Sequence, residues 1–231
     1  MRHTATVTFA LLSCLCAAPA GAQQLVNITV GQFVPRSESS RTPGDVLVEN
    51  RGFLSFGIPD FAGPSAGAEW IAGAGEHLEV GVGVTGYRQT VPSVYRDFIA
   101  SDRTEIAQDL RLKTVTTAFT ARFLPLGQHT AVQPYLGAGL GVVRWRYTES
   151  GDFVDFGVPA RPIRSATFEA QGTEAAPVAL VGIRFGAGRL SVGGEARYQQ
   201  ASADLDTRFA GSALDLGGWT YAATVGLRFG R

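Results

Sequence analysis

Apolar and polar residues alternate strictly near the end of the chain, over residues 218–230. Because successive side chains of a strand point to opposite faces, this alternation predicts a β-strand with one apolar and one polar face. Aromatic residues at both ends of the apolar face are typical of the girdles that flank a membrane-embedded strand. The predicted aromatic girdle positions are Trp219 and Tyr221 at one end and Phe229 at the other.

The same alternation recurs along the chain in segments of about the length that a tilted strand needs to cross an outer membrane, roughly 9 to 11 residues. Between these segments, short and long connections alternate, beginning with a long one. The segments are 25–34, 65–73, 77–87, 110–123, 133–146, 176–186, 189–199 and 218–230. The long connections are 35–64, 88–109, 147–175 and 200–217.

Short periplasmic turns and long external loops characterise outer-membrane barrels. The order of connections therefore predicts an all-β fold, an eight-stranded antiparallel up-and-down transmembrane β-barrel with four long external loops. Both termini are then periplasmic and the protein crosses the outer membrane several times.

Two of the long connections contain apolar groups, around Tyr95 and Phe98 and around Leu47 and Leu54. We expect loops packing on each other there, with a sheet extension or a lid over the barrel mouth as alternatives.

The beginning of the chain has the three parts of a secretory signal peptide. Arg2 and His3 precede an apolar run over 7–18, and Ala20-Gly21-Ala22 is a cleavage site of the A-x-A type. This predicts a signal peptide over residues 1–22 and one outer-membrane β-barrel domain over residues 23–231. A lipoprotein-type cleavage before Cys14 is the less favoured alternative.

The composition excludes cysteine chemistry in the mature chain and gives no indication of a nucleic-acid partner. The cysteines, Cys14 and Cys16, both lie in the predicted signal, so the mature chain would have neither disulfides nor thiolate metal sites. Loss of Arg2 with the signal changes the formal net charge from 0 to −1, which gives no indication of nucleic-acid binding. The 29 glycines fit a β-rich exported protein.

Charged residues fall on the polar face of the predicted strands. A charge on the lipid-facing side costs about 2–4 kcal/mol near the bilayer midplane for Arg or Lys, so we assign these residues to the barrel interior. Glu79, Arg122, Arg184 and Arg228 are expected near the periplasmic end, with Glu69 and Glu195 deeper. The predicted lumen charge network consists of Glu69, Glu79, Arg122, Arg184, Glu195, Arg197 and Arg228.

Such a network has two interpretations. The interior of an eight-stranded barrel is just wide enough to be filled by side chains, which favours a closed plug of paired charges. The alternative is a gate or a path for protons and ions.

In the segment 133–146 the sequence pattern does not decide which set of side chains faces outward. We prefer its leucines outward and its glycines inward, which brings Arg144 and Arg146 out at the external rim as a possible lipopolysaccharide contact. A β-bulge that exchanges the faces is the alternative.

No catalytic constellation is evident. His77 and His129, the only histidines after the signal, both fall in predicted periplasmic turns and are not obviously near each other. A nucleophile and its base need hydrogen-bond reach, and the chain contains no Gly-x-Ser-x-Gly, P-loop or His-Glu-x-x-His motif. We therefore predict no enzymatic activity, no cofactor and no metal site.

The chain resembles the small outer-membrane β-barrel families of the OmpA-barrel, OmpX and OmpW type. The resemblance rests on the signal, on the strand Pro134-Tyr135-Leu136-Gly137-Ala138-Gly139-Leu140-Gly141 and on the ending Val225-Gly226-Leu227-Arg228-Phe229. It implies recognition of a terminal aromatic by the barrel-insertion machinery, although here Gly230-Arg231 follow Phe229.

We therefore expect a monomeric, non-enzymatic outer-membrane protein whose loops mediate surface interaction or envelope integrity. Its expected partners are outer-membrane lipid and lipopolysaccharide, with the barrel-insertion machinery during assembly. The alternative is a narrow transport channel for small, mainly hydrophobic solutes. A soluble lipocalin-like binder and a loop-based enzyme are less favoured.

Overall fold

A computed structural model describes residues 23–230. The predicted signal peptide lies outside the described residues. Eight antiparallel strands close into one barrel, which confirms the predicted fold. The barrel strands are β1 (Gln24–Pro35), β2 (Gly63–Gly73), β3 (Leu78–Ile99), β4 (Glu105–Phe123), β5 (Val132–Val154), β6 (Ile163–Ala187), β7 (Leu190–Gln199) and β10 (Gly218–Phe229).

The two ends of the barrel differ. One end, which we call the turn end, carries the short connections 74–77, 124–131 and 188–189 and both ends of the described chain. The opposite, loop end carries the long excursions of the chain. Pairing of β1 with β10, from Gln24 opposite Phe229 to Pro35 opposite Gly218, closes the ring.

Four strands are much longer than the sequence pattern predicts. β3 to β6 have 22, 19, 23 and 25 residues, whereas β1, β2, β7 and β10 have 10 to 12. Consequently most of the predicted loops 88–109 and 147–175 are strand, and only residues 100–104 and 155–162 connect the paired strands. β3 to β6 thus project beyond the ring as a four-stranded sheet.

The other two long connections fold against the inner face of this sheet. Residues 36–62 contain a 3₁₀ turn (Glu38–Ser40), the helix α1 (Val46–Asn50) and a second 3₁₀ turn (Ile58–Phe61). Residues 200–217 contain a ribbon of two short strands, β8 (Ser202–Asp204) and β9 (Ala213–Asp215). Asp45 begins α1 because its carboxylate accepts hydrogen bonds from the Leu47 and Val48 amides.

The long strands exchange their apolar face along their length. In β3, Val80 and Val84 are exposed on the outer wall, whereas Tyr87, Val91 and Tyr95, further towards the loop end, are buried inside. Even-numbered side chains of β3 face outward and odd-numbered ones face inward, from its turn end as far as Tyr95. The apolar residues occupy even positions near the turn end and odd positions near the loop end, so no change of register is needed. The barrel is therefore inverted at its turn end, apolar outside and charged inside, and has an ordinary apolar interior at its loop end.

Candidate functional site: the barrel interior and its outer wall

Exposed apolar side chains cover the outer wall of the turn-end half. Leu140, the most exposed of them, is 68% accessible. We call this surface the apolar belt; it consists of Val26, Ile28, Val30, Leu78, Val80, Val84, Phe119, Phe123, Leu136, Leu140, Val142, Val181, Ile183, Phe185, Leu190, Val192, Val225 and Leu227.

Aromatic residues lie at both edges of this belt on β10. Trp219 and Tyr221 are exposed near the loop end, with ring centroids 6.1 Å apart, and the Tyr198 ring lies 5.1 Å from that of Trp219. Phe229 is exposed at the turn end, where it is opposite Gln24. The three residues predicted as a girdle thus lie on the outer wall.

Inside the belt, four charged residues form one compact group. The Arg122 guanidinium, 1% exposed, donates through Nη2 to Glu69 Oε2 at 2.6 Å and to Glu195 Oε2 at 3.0 Å. Arg197 Nε donates to Glu195 Oε1 at 3.0 Å, and its Nη2 lies 3.6 Å from Glu69 Oε1. Each carboxylate therefore faces both guanidinium groups, which compensates the cost of burying the charges.

A second group lies nearer the turn end. Arg184 donates to Glu79 Oε1 at 2.6 Å and to Gln133 Oε1 at 3.0 Å. Arg228 donates to the same Gln133 oxygen at 2.8 Å and forms no ion pair within the described residues. Gln133 was not predicted as part of the network, although its alternation within β5 places it inward.

Tyr135 joins the two groups. Its ring lies beneath both guanidinium groups, 5.2 Å from the Arg122 carbon and 5.7 Å from that of Arg184, and its hydroxyl donates to Glu195 at 3.1 Å. Such stacking favours a cation over an aromatic face. A β-carbon on Gly182 would lie 2.4 Å from the Tyr135 ring, so this glycine provides the space that the ring occupies.

The seven predicted network residues therefore all face the interior, but in two groups rather than one. Arg122 does not pair with Glu79, its cross-strand neighbour, and reaches Glu69 and Glu195 instead. Side-chain length explains the difference, because a guanidinium group extends well beyond the backbone level of its own residue.

Towards the loop end the interior becomes apolar. We call this region the external core; it includes Phe33, Val46, Leu47, Leu54, Phe61, Tyr87, Val91, Tyr95, Ile106, Leu110, Tyr147, Phe209, Leu214 and Leu216. The two apolar groups that were expected to pack on each other are thus in contact within this core. Tyr95 and Leu110 belong to strands β3 and β4 rather than to loops. The segments 36–62 and 200–217 fill the loop end of the barrel.

A buried ion pair within the segment 36–62 is hydrogen-bonded to the segment 200–217. Arg41 donates to both carboxylate oxygens of Asp45, at 2.8 and 3.0 Å, and to the Asp215 carbonyl at 2.8 Å. The Asp215 amide donates to Asp45 Oδ2 at 2.6 Å, and the Asp215 carboxylate accepts from the Thr42 amide and Arg36. We call Arg41, Asp45 and Asp215 the latch. An aspartate before the apolar run 46–48 is a helix-start signal, but nothing in the sequence indicates its partner 170 positions away.

Asn50, at the end of α1, contacts a buried carboxyl group on β5. Its Nδ2 donates to Glu149 Oε1 at 2.6 Å, and the Tyr147 hydroxyl donates to the same oxygen at 2.9 Å. Burial raises the pKa of Glu149, and the two donated hydrogen bonds offset part of that increase. Burial and the nearby Glu149 raise the pKa of Tyr147 well above its usual value.

In β5 the leucines face outward and the glycines face inward, which is the arrangement preferred from the sequence. Leu136, Leu140, Arg144 and Arg146 face outward, whereas Tyr135, Trp145 and Tyr147 are buried. Pairing of β5 with both neighbours is continuous through this region, which excludes the bulge. Arg146 contacts Gln171 at 2.8 Å and Glu169 at 3.5 Å, at the level where β5 leaves the apolar belt.

The two histidines of the described chain, His77 and His129, both lie in connections at the turn end, where the sequence placed them. His77 Nδ1 is 2.9 Å from the Leu124 carbonyl, and His129 is exposed in the 124–131 connection. Among residues 23–230 no group of three or more His, Cys, Asp and Glu side chains is arranged to hold a metal ion. Within the same residues, no helix has the length and apolar character needed to cross a membrane.

No protein-family model matches the chain, and no curated protein matches it in sequence. Solved structures that are similar to it over about nine tenths of its length include the three that follow. Neisserial surface protein A has 15% identity and a TM-score of 0.49, with 90% of this chain and 99% of that one covered. Ail, the attachment invasion locus protein of Yersinia pestis, has 11% identity and a TM-score of 0.43, with the same shares covered.

The N-terminal β-barrel domain of Pseudomonas aeruginosa OprF has 12% identity and a TM-score of 0.41, with 89% of this chain and 97% of that one covered. These are similarities of fold at low sequence identity. The closed ring of this chain is established by its own strand pairing.

Proposed function

We propose that the chain is an integral outer-membrane β-barrel whose lumen is closed by a plug of paired charges. The inversion of the barrel wall carries this proposal. In the turn-end half, apolar residues cover the outside and ion pairs fill the inside, which suits a strand between lipid and a polar lumen. In the loop-end half the apolar residues are inside, as in water.

The lengths of the connections support an orientation in the membrane. The sheet β3 to β6 and the segments 36–62 and 200–217 would lie outside the cell, and the short turns with both chain ends would lie in the periplasm. Short turns and long excursions segregate to opposite faces in barrels of this kind. A soluble binder with an apolar interior throughout would not need the apolar belt.

Two layers close the lumen. The ion pairs of Arg122 and Arg184 fill the membrane half, and the external core fills the loop end above them. Eight strands leave an interior that side chains can fill completely. A channel for small, mainly hydrophobic solutes remains the second candidate, and the apolar side chains of the external core are the feature that would suit such solutes.

The remaining parts of the proposal concern partners. The protein acts as a monomer without enzymatic activity, bound by outer-membrane lipid and inserted by the barrel-insertion machinery. Its projecting sheet and loops contribute to surface interaction or envelope integrity. The described histidines support the absence of catalysis, because both lie at the periplasmic end, away from this external surface.

Membrane fractionation combined with a heat-modifiability gel tests the location. We expect recovery in the outer membrane and faster migration of the unboiled protein, because the closed ladder resists detergent until it is heated. Recovery as a soluble periplasmic protein without a mobility shift would contradict the membrane assignment.

Conductance in planar bilayers tests the plug separately. Protein whose folded barrel is verified by its heat-modified mobility should show no stepwise ion current under conditions in which a general porin, the positive control, inserts and conducts. Regular conductance steps from inserted protein would overturn the plug and favour the channel, while leaving the membrane assignment intact.

A further inference from the structure

Five cations lie together on the outer wall of β3, β4 and β5. In the strand register Arg88 is directly opposite Lys113, and Lys113 is directly opposite Arg146. Arg144 and Arg111 are outward neighbours of this row, two residues along β5 and β4 respectively. Because neighbouring strands are about 4.8 Å apart, the row extends over roughly 10 Å. We call these five residues the cationic ridge.

The ridge lies at the loop-end edge of the apolar belt. Pairing of β2 with β3 ends at Tyr87, so Arg88 is the first outward residue after β3 leaves the closed wall. Below the ridge on the same outer face are Val84, Phe119 and Val142. This is where the head groups of the outer leaflet lie if the belt contacts its acyl chains.

Most of the ridge charge is not neutralised by the protein. Arg88, Lys113 and Arg144 are exposed and form no side-chain hydrogen bond or ion pair within the part of the chain that the structure describes. The Glu169 carboxylate forms an ion pair with Arg146 and with no other cation of the ridge, and Asp109 lies further out, beyond Arg111. On the opposite side of the barrel, aromatic residues rather than cations occupy this level, around Trp219.

We propose that the cationic ridge is a binding site for the head group of an outer-leaflet lipid that carries two or more phosphates. Guanidinium and ammonium groups form charge-assisted hydrogen bonds with phosphate oxygens, and several cations along one line match a polyanionic head group better than a single charge. The acyl chains of the same lipid would cover the belt below. This proposal rests on the membrane location proposed above.

Titration of the purified mature protein with diphosphorylated lipid A, in neutral detergent micelles, tests the site. The test variant is Arg88→Gln with Lys113→Gln, because neither side chain stabilises another described residue. The matched control is Arg103→Gln with Arg164→Gln, which removes the same charge from exposed positions beyond the ridge. We expect the test variant to bind about tenfold more weakly and the control to bind as the parent does.

Parallel titrations identify the source of the phosphate. Dephosphorylated lipid A should bind the parent at least as weakly as diphosphorylated lipid A binds the test variant, because it loses its contacts with all five cations. Inorganic phosphate at the same phosphate concentration should not displace the lipid. Displacement by inorganic phosphate, equal loss of affinity in both variants or unchanged affinity in the test variant would each overturn the lipid site.

Heat-modified mobility of every variant shows that the barrel is intact. It also separates the two proposals. A chain that is recovered from the outer membrane and shows the mobility shift, yet does not distinguish phosphorylated from dephosphorylated lipid A, contradicts the ridge site alone. A soluble chain without the shift contradicts the membrane location.

Discussion

Glu149 illustrates how a single residue combines structural and electrostatic roles. Its carboxyl group is buried between Asn50 of α1 and Tyr147, with no cation as partner in the described contacts. Burial raises its pKa, so the folded protein favours the protonated form more than the unfolded chain does. Stability contributed at this position is therefore complete at acid pH and is lost as the pH rises through the raised pKa.

Substitution Glu149→Gln should remove this dependence. The amide oxygen still accepts from Asn50 and Tyr147, but it carries no charge that resists burial. As the pH rises through the raised pKa of Glu149, hydrogen exchange of the α1 amides should accelerate more in the parent than in the variant, after correction for intrinsic exchange. Glu105→Gln, an exposed position on β4, is the control. An identical pH response in parent and Glu149→Gln protein would contradict the prediction.

Charge placement at the residue scale was partly predictable. Alternation places Glu69, Arg122 and Arg184 inside because the neighbouring positions are apolar. Alternation does not determine which partner each side chain reaches. Arg122 passes its neighbour Glu79 to contact Glu69 and Glu195, and that choice depends on side-chain length and on the shared Tyr135 ring.

At the scale of elements, the latch connects two segments that are far apart in sequence. Asp45 begins α1, neutralises Arg41 and accepts the Asp215 amide, so one carboxylate holds both filling segments of the external core. A helix of five residues cannot be stable by itself and depends on these contacts.

Asp45→Ala should therefore release both segments. Loss of a cap costs about 0.5–2 kcal/mol, and an uncompensated buried charge on Arg41 costs about 3–5 kcal/mol more. Hydrogen exchange should accelerate at Leu47, Val48 and Asp215, with Asp45→Asn intermediate because its side-chain oxygen can still cap. Asp60→Ala removes an exposed acceptor of the Gly57 amide and serves as control. Unchanged protection in Asp45→Ala would show that apolar contacts alone hold the segments.

The predicted loop-side ends of β3 to β6 were wrong, for a physical reason, whereas the predicted turn-side ends agree with the structure to within one residue. A pattern with apolar residues at even positions ends near Val84 in β3, and the next apolar positions, Tyr87 and Val91, are odd. In the sequence, such a change of face is the pattern expected where a strand ends. In the structure the strand continues with the same face inside, and the apolar side chains move from its outer face to its inner face.

For the whole molecule, the two halves of the barrel have different sources of stability. The belt and the lumen ion pairs belong to the turn-end half, and the external core depends on the projecting sheet. Residues 53–55 bind β3 through the Ser55 amide with the Val94 carbonyl and the Arg96 amide with the Phe53 carbonyl. The sheet is thus a support for the segment 36–62.

Shortening the β3–β4 hairpin should separate these halves. Pro92 lies directly opposite Asp109, so an Asn-Gly turn can replace residues 93–108 without changing the register below. We expect the shortened protein to remain in the outer membrane with its heat-modified mobility. Added protease should cleave it within residues 36–62, where the full-length protein resists. Loss of insertion would contradict the independence of the turn-end half.

The sequence by itself determined the number of barrel strands, the inward and outward faces of the turn-end half and the positions of the charges, because alternation is a local property of a strand. Only the tertiary structure decided the pairing within the lumen, the latch between Asp45 and Asp215 and the external core. Those contacts join residues whose proximity arises from ring closure. The face that an alternating strand buries depends on its surroundings, which its own residues do not specify.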